Sequence, residues 1–330
     1  MIFTTIEKPP SMIQTTKSYI LFLFLGIFPV FAQHTDVINS NRPGESQSAF
    51  SVGQTVFQAE SGVFFNKEEN AVLGSAANNF GVDLALRYGA FFEQLEFNIE
   101  ARYLYSQQTA GIYMPNQRDF KDLVIGAKYL IYDPYKNYEE KVNILSWKAN
   151  QRFKWRQFIP AVAVYAGANL NLNSVYFPEN DAVVAPKIMV ITQNQFSGGY
   201  VLVLNLIADR IASETASYGY VATFTKGFSE KWSGFIENQG IQNDFDSDFI
   251  LRAGAAYLLK ENIQIDASLG GNFKDDPSFF GGAIGLSWRF DKNYKPILIK
   301  SGKEDGKSKD KKEKKKKRKD AVETIEVEKP

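Results

Sequence analysis

The alternation between Leu95 and Ser106 constrains this chain more than any other stretch. Leu95, Phe97, Ile99, Ala101, Tyr103 and Tyr105 take every second position, and Glu96, Asn98, Glu100, Arg102, Leu104 and Ser106 fall between them. A period of two belongs to a β-strand, whose successive side chains point to opposite faces. The pattern returns where Phe80, Val82, Leu84, Leu86 and Tyr88 alternate with Gly81, Asp83, Ala85, Arg87 and Gly89. It returns again at Ile263, Ile265, Ala267 and Leu269, and at Ile284, Leu286, Trp288 and Phe290. Each strand therefore has one apolar, aromatic face and one charged or small-residue face.

Two settings produce such strands. A soluble sandwich buries the apolar face and wets the other. A membrane barrel turns the apolar face to lipid and the polar face to a lumen. The strands span about ten residues, the length a tilted membrane crossing needs. Aromatics, 14% of the chain, gather near strand ends at Tyr88, Tyr103, Tyr105, Tyr129, Tyr132, Tyr257, Trp288 and Phe290, where girdles belong. The expected fold is all-β: a transmembrane antiparallel up-and-down β-barrel of about 12 strands. The strands are placed at 52–65, 79–90, 94–106, 121–132, 157–170, 185–195, 200–210, 216–226, 231–241, 247–258, 262–273 and 279–290. An even count puts both ends of the barrel on one side. Short turns at 91–93, 197–199, 227–230 and 259–261 alternate with longer polar loops at 66–78, 107–120 and 171–184. The polar link 133–156, with Trp147 and Trp155, breaks that rule. It reads either as a cap on a pore or as a solvated insertion.

The N-terminus fits export. Lys17 precedes the apolar run Tyr19 to Phe31, which ends at Ala32 and contains Pro29. This is a signal-peptide plan, with cleavage expected after Ala32 and Met12 as an alternative start. The run is too short for a spanning helix of about 20 apolar residues. No later stretch can span as a helix, so a membrane-borne mature chain has to be a closed barrel. The domain plan is a signal peptide at 1–32, a barrel at 33–300 and a basic tail at 301–330.

The absence of cysteine excludes disulfides, thiolate metal sites and cysteine nucleophiles. The single histidine, His34, sits beside the expected mature N-terminus, a poor place for a catalytic base. No catalytic residue, metal or cofactor is therefore expected. Glu60 and Arg42 could pair as catalytic residues, but no nucleophile accompanies them and a hydrolase is not expected. Gly198-Gly199 and Gly281-Gly282 suit turns and strand packing rather than a phosphate cradle. Residues 301–330 hold 12 Lys/Arg against 8 Asp/Glu. In an exported chain this run points away from nucleic acid and towards lipid headgroups, or towards a plain solvated extension.

The charges on the inward faces are the candidate lumen lining: Asp83, Arg87, Glu96, Glu100, Arg102, Lys128, Asp209, Glu237, Arg252, Asp266 and Arg289. They line a conduit and select its solute, or they pair across strands and fill the lumen. Arg87 with Glu96 or Glu100 is one such expected pair.

A resemblance adds to this reading. Asn41-Arg42-Pro43-Gly44-Glu45-Ser46, Phe50-Ser51-Val52-Gly53 and Phe57-Gln58-Ala59-Glu60-Ser61-Gly62 resemble the opening of the phenol-degradation meta-pathway (MetA) transporter-like outer-membrane barrels. Strands starting Ile159-Pro160-Ala161 and Ala185-Pro186-Lys187 resemble others in that family. The family commonly has Asp where Asn41 stands, and it ends near the last strand, whereas this chain runs on for 40 residues. The resemblance implies a barrel associated with uptake of small, often hydrophobic compounds. The combined expectation is a passive channel in the cell outer membrane with periplasmic ends. Its expected partners are outer-membrane lipid, the barrel-assembly machinery and a small-molecule solute, without nucleic acid. A sealed structural or surface-interaction barrel and a soluble secreted β-sandwich are the alternatives.

Overall fold

The structure is a computed structural model. It describes residues 37–292 apart from 73, 111–115, 137–144, 147–153, 179–180, 245–246 and 275. The expected signal peptide at 1–32, His34, Trp147 and the tail at 301–330 lie outside the described residues.

Twelve strands form a closed barrel: β1 Phe57–Asn70, β2 Ser75–Gly89, β3 Leu95–Ala110, β4 Gln117–Tyr132, β5 Ala161–Leu170, β6 Val184–Phe196, β7 Tyr200–Asp209, β8 Ser217–Gly227, β9 Trp232–Asn243, β10 Ser247–Lys260, β11 Ile263–Asn272 and β12 Ser278–Phe290. Each strand pairs antiparallel with the next in sequence, and β12 closes on β1 from Phe57↔Phe290 to Glu69↔Ser278. Closure leaves no free edge, so every ladder has a partner. Phe57 and Phe290 define one end of the barrel, the terminal end. The tips of the β1–β2 and β3–β4 hairpins define the other, the hairpin end.

The polarity is inverted relative to a water-soluble protein. Ile284 is 65% exposed and Ile236 57% exposed on the outside, while Glu96, Lys128 and Glu237 are 0% exposed within. Aromatics ring the outside near both ends. Trp232 and Tyr257 lie 4.8 Å apart and Trp288 and Phe290 6.0 Å apart near the terminal end, with Tyr103 and Phe120 5.3 Å apart nearer the hairpin end. The greasy rows do not face each other across two sheets. The sandwich alternative is excluded.

Four expectations need correction. The first strand begins at Phe57, because Gly53 turns the chain at φ 96 and Thr55 adopts φ 64, so 52–56 belongs to a different element. The polar stretch 66–78 is a four-residue turn on a tall hairpin, since β1 runs to Asn70 and β2 starts at Ser75. Likewise β3 and β4 consume most of 107–120. Strand arms that rise above the apolar belt are wet on both faces, so they lose alternation and look like loops. In the link at 133–156, Arg156 donates to the carbonyl of Pro134 at 2.8 Å, and a 3-10 turn at Trp155–Phe158 precedes β5. That turn occupies the start of the expected 157–170 strand.

The interior is also less uniform than expected. Val124, Leu130, Ala161, Ala163, Tyr165, Met189, Ile191 and Val203 form an apolar cluster on the inner wall of β4–β7. These strands are apolar on both faces, one towards the outside and one towards a segment of the same chain inside the barrel.

Candidate functional site

That segment, residues 37–56, is a re-entrant loop. The Ile38 amide donates to the Glu261 carbonyl at 2.8 Å, and the Thr55 amide to Gly89 at 2.9 Å, so the loop enters and leaves at the terminal end. Gly53 packs against Gly89 where the loop turns back into β1, an approach a side chain at position 89 would block.

Inside the barrel the loop has no sheet partner, so side chains of the wall must satisfy its backbone. Glu60 accepts from the amides of Asn41 at 3.2 Å and Arg42 at 3.3 Å. Glu237 accepts from the amides of Glu45 at 3.0 Å and Ser46 at 3.3 Å. Asn205 imitates a neighbouring strand: it accepts from the Gln47 amide at 2.6 Å and donates to the Gln47 carbonyl at 3.0 Å. Gln193 accepts from the Ala49 amide at 3.0 Å, and Glu96 from the Val52 amide at 2.9 Å. Lys128 donates to the carbonyls of Ser48 at 2.8 Å and Phe50 at 3.0 Å. Where Glu60, Glu96 and Glu237 meet amides and Lys128 meets carbonyls, the bonds are of the strong, charge-assisted form.

All eleven candidate residues lie on the inner side of the barrel. Arg87 is held by Glu96 at 2.9 Å, as expected, and also by Glu60 at 2.9 Å. Lys128 lies 3.1 Å from Glu96, Arg252 3.3 Å from Glu237, and Asp209 3.8 Å from Lys187. The other partners come from elsewhere than a neighbouring strand. Asp83 and Asp266 both hold Arg42, the latter at 3.3 Å. Arg102 pairs with Glu45 at 2.9 Å, Glu100 accepts from Gln47 Nε2 at 2.5 Å, and Arg289 pairs with Asp291 at 2.8 Å beyond the end of its own strand. Desolvation opposes ionisation of Glu45, but Arg102, Arg252 and Arg42 outweigh it and hold the carboxyl at about 2. Sequence reasoning passed over Arg42, Glu45, Glu60, Asp122, Lys187 and Arg210 as lining residues. Glu60 carried a usable signal, for it shares its strand face with Gln58 and Gly62. Among the described residues no cluster of His, Cys, Asp and Glu is arranged to hold a metal.

Arg42 sits in a built slot. Gly62 and Gly285 face each other in the β1–β12 register, and a Cβ on either would overlap the guanidinium. Its two carboxylate partners come from β2 and β11, the strands flanking that pair. The Asp266 side chain is fully buried, and its Oδ2 has no hydrogen-bond partner.

The loop divides the lumen into two chambers. One of about 730 Å³ opens towards the hairpin end, among Glu100, Arg102, Lys187, Asp209 and Arg252. The other, about 240 Å³, lies beside Val201, Thr225, Phe235 and Gln264, nearer the terminal end. Asn41, Arg42, Pro43 and Gly44 line both, so this turn is the partition.

The barrel is similar to the crystal structure of the COG4313 outer membrane channel from Pseudomonas putida F1. The TM-score is 0.52 at 10% identity, over 75% of this chain and 100% of that one. A CymD monoaromatic hydrocarbon channel gives a TM-score of 0.39 at 9% identity, over 72% of this chain and 88% of that one. The NanC porin gives 0.43 at 9%, over 69% and 98%. Likeness at these identities concerns the fold alone. No protein of curated function matches the chain. Residues 40–290 match the family described as "Putative MetA-pathway of phenol degradation", and the chain belongs to that family.

Proposed function

We propose that this barrel is a passive outer-membrane channel for small molecules, closed in the observed state by its own re-entrant loop. The carrying observation is the pair of stacked chambers, about 730 and 240 Å³, with the Asn41–Gly44 turn lining both. A filled structural core would not need cavities of this size on both sides of one turn. Displacement of the turn joins the chambers into one path. In this reading an N-terminal export signal precedes the barrel, the terminal end faces the periplasm, and assembly proceeds through the general barrel-insertion route. The basic tail is a solvated extension on the periplasmic side. The family's description, which names phenol degradation, points to small aromatic solutes.

A sealed barrel is the second reading, and the dense anchoring of the loop backbone favours it. A tether separates the two. Ser40 Oγ lies 2.7 Å from Ser287 Oγ, and the chain contains no cysteine of its own. Ser40→Cys/Ser287→Cys therefore places a lone thiol pair at disulfide range, joining the loop to β12. In planar bilayers the reduced barrel should conduct and the oxidised one should not. Silence in both states, with folding intact, would establish the sealed barrel.

A further inference from the structure

We propose that the 240 Å³ chamber is a selectivity site that takes compact, uncharged solutes carrying hydrogen-bonding groups and turns ions away. The proposal rests on the channel reading and adds what the channel admits. The two chambers differ sharply in charge. Fourteen of the residues lining the 730 Å³ chamber are Asp, Glu, Lys or Arg. Of the nineteen described residues lining the smaller one, Arg42 alone is charged, and its guanidinium is already committed to Asp83 and Asp266. The rest of that lining is apolar, as at Val201, Val203 and Phe235, or neutral and hydrogen-bonding, as at Thr225 and Gln264.

The step between the chambers therefore falls differently on different solutes. An ion leaving the larger chamber forfeits counter-charges of both signs and much of its hydration, and finds no replacement beyond the turn. A neutral solute gives up only ordinary hydrogen bonds. Thr225 can donate and accept, and Gln264, whose Nε2 donates to the Arg42 carbonyl at 3.2 Å, keeps its own carbonyl oxygen as an acceptor. Apolar parts of the solute meet Val203 and Phe235. The chamber thus replaces what a neutral amphipathic molecule loses and cannot replace what an ion loses. Arg42 adds a further bias, because a free cation in the turn would compete with it for the two aspartates.

Three probes of near-equal size test this: N-acetylglycinamide, N-acetylglycinate and N-acetylethylenediammonium, which are neutral, anionic and cationic. Flux into liposomes carrying the full-length barrel is measured against empty liposomes. The neutral probe should exceed each ion by at least tenfold. Val203→Trp, which fills the chamber, should remove that excess by lowering flux of the neutral probe alone. Heat-modifiable electrophoretic mobility checks that the variant still folds as a barrel. Equal flux of the three probes would overturn the selectivity site and leave the channel standing. Where nothing crosses, saturation-transfer NMR in detergent decides. Binding of the neutral probe that Val203→Trp abolishes would sustain the chamber without the channel, and absence of binding would overturn both.

Discussion

Removing the guanidinium of Arg42 should unfasten the partition. Arg42→Ala leaves Asp83 and Asp266 across an empty slot, one side chain 20% exposed and the other 0%. Truncating one member of a buried ion pair costs about 3–5 kcal/mol, because the partner charge stays behind unpaired. Here part of that loss is recovered, since Asp83 is partly wetted and a carboxyl left unpaired can take a proton, so about 2–3 kcal/mol remains. This cost falls on the loop and not on the barrel, whose ladders do not involve Arg42. At about 1.4 kcal/mol per tenfold, the open-to-closed ratio of the turn should rise about 30- to 150-fold. Single-channel recording reads that ratio as open probability. Arg42→Lys keeps a cation but not the fork, and should fall between native and Arg42→Ala. Gly285→Ala crowds the slot from the wall and should move the ratio the same way, by less, because the end of a flexible side chain can shift aside. An Arg42→Ala barrel that folds normally and opens no more often than the native one would refute the latch.

Two further outcomes follow from the geometry. Ile284 lies halfway along β12 on the outer face, so Ile284→Arg should destabilise the barrel in lipid by about 2–4 kcal/mol in urea titrations, and a change near zero would mean that this face does not meet the hydrocarbon. At the hairpin end, Asp181 accepts from Thr215 Oγ1 at 2.7 Å and from the amides of Ala182 at 2.9 Å and Glu214 at 3.2 Å. Burial raises its carboxyl, but these bonds outweigh burial and hold it below the usual Asp range. A lowered value means that the ionised form stabilises the fold, so the contribution is complete above the ordinary Asp range and fades as pH drops through the lowered value. Exchange at the Glu214 amide, measured relative to the intrinsic rate at each pH, should stay slow from neutral pH down to that range and quicken below it. Asp181→Asn should quicken it at neutral pH, and unchanged exchange would break the argument.

The barrel wall was legible because lipid and lumen impose a period of two wherever both act on one strand. Leu95 to Tyr105 is the clearest instance, and its outward and inward sets occupy the two faces as expected. The alternation is lost where one of the two media is replaced. Asn66 to Asn70 rises above the apolar belt, so water meets both faces and the alternation vanishes although the ladder continues. In β5–β7 the inward medium is the loop itself, and residues such as Met189, Ile191 and Val203 are apolar because Ala49 packs against them. What marks these strands in the sequence is the short turn at 197–199 rather than alternation. The misplaced start of the first strand has a local cause: Val52 and Val56 are apolar and close to Phe57, and only Gly53 hinted at the turn between them.

The partners of the inward charges divide along the same line. Arg87 and Glu96 belong to one hairpin, where strand order alone brings them together, and that pair was legible. Asp83 with Arg42, Arg102 with Glu45, and Glu237 with the amides of Glu45 and Ser46 were not, since no strand neighbour supplies the second member. The stretch Asn41–Ser46 has no periodicity, and its Pro and Gly mark it as an ordinary loop. As a stretch it stands out in the sequence through the family resemblance, not through any pattern of its own. Yet the wall carried an indirect trace. Inward glycines at Gly62 and Gly285, side by side among carboxylates, leave a gap that a tightly packed or salt-bridged lumen would fill from the wall itself. Amphipathic matching completes the account: Arg42 and Glu45 lie against the charged wall, and Ala49 and Phe50 lie against the apolar wall of β4–β7. Loop and lumen are therefore one complementary surface. A chain whose inner wall holds charges of both signs, paired glycines and an apolar sector should be searched, in its own sequence, for the segment that occupies it.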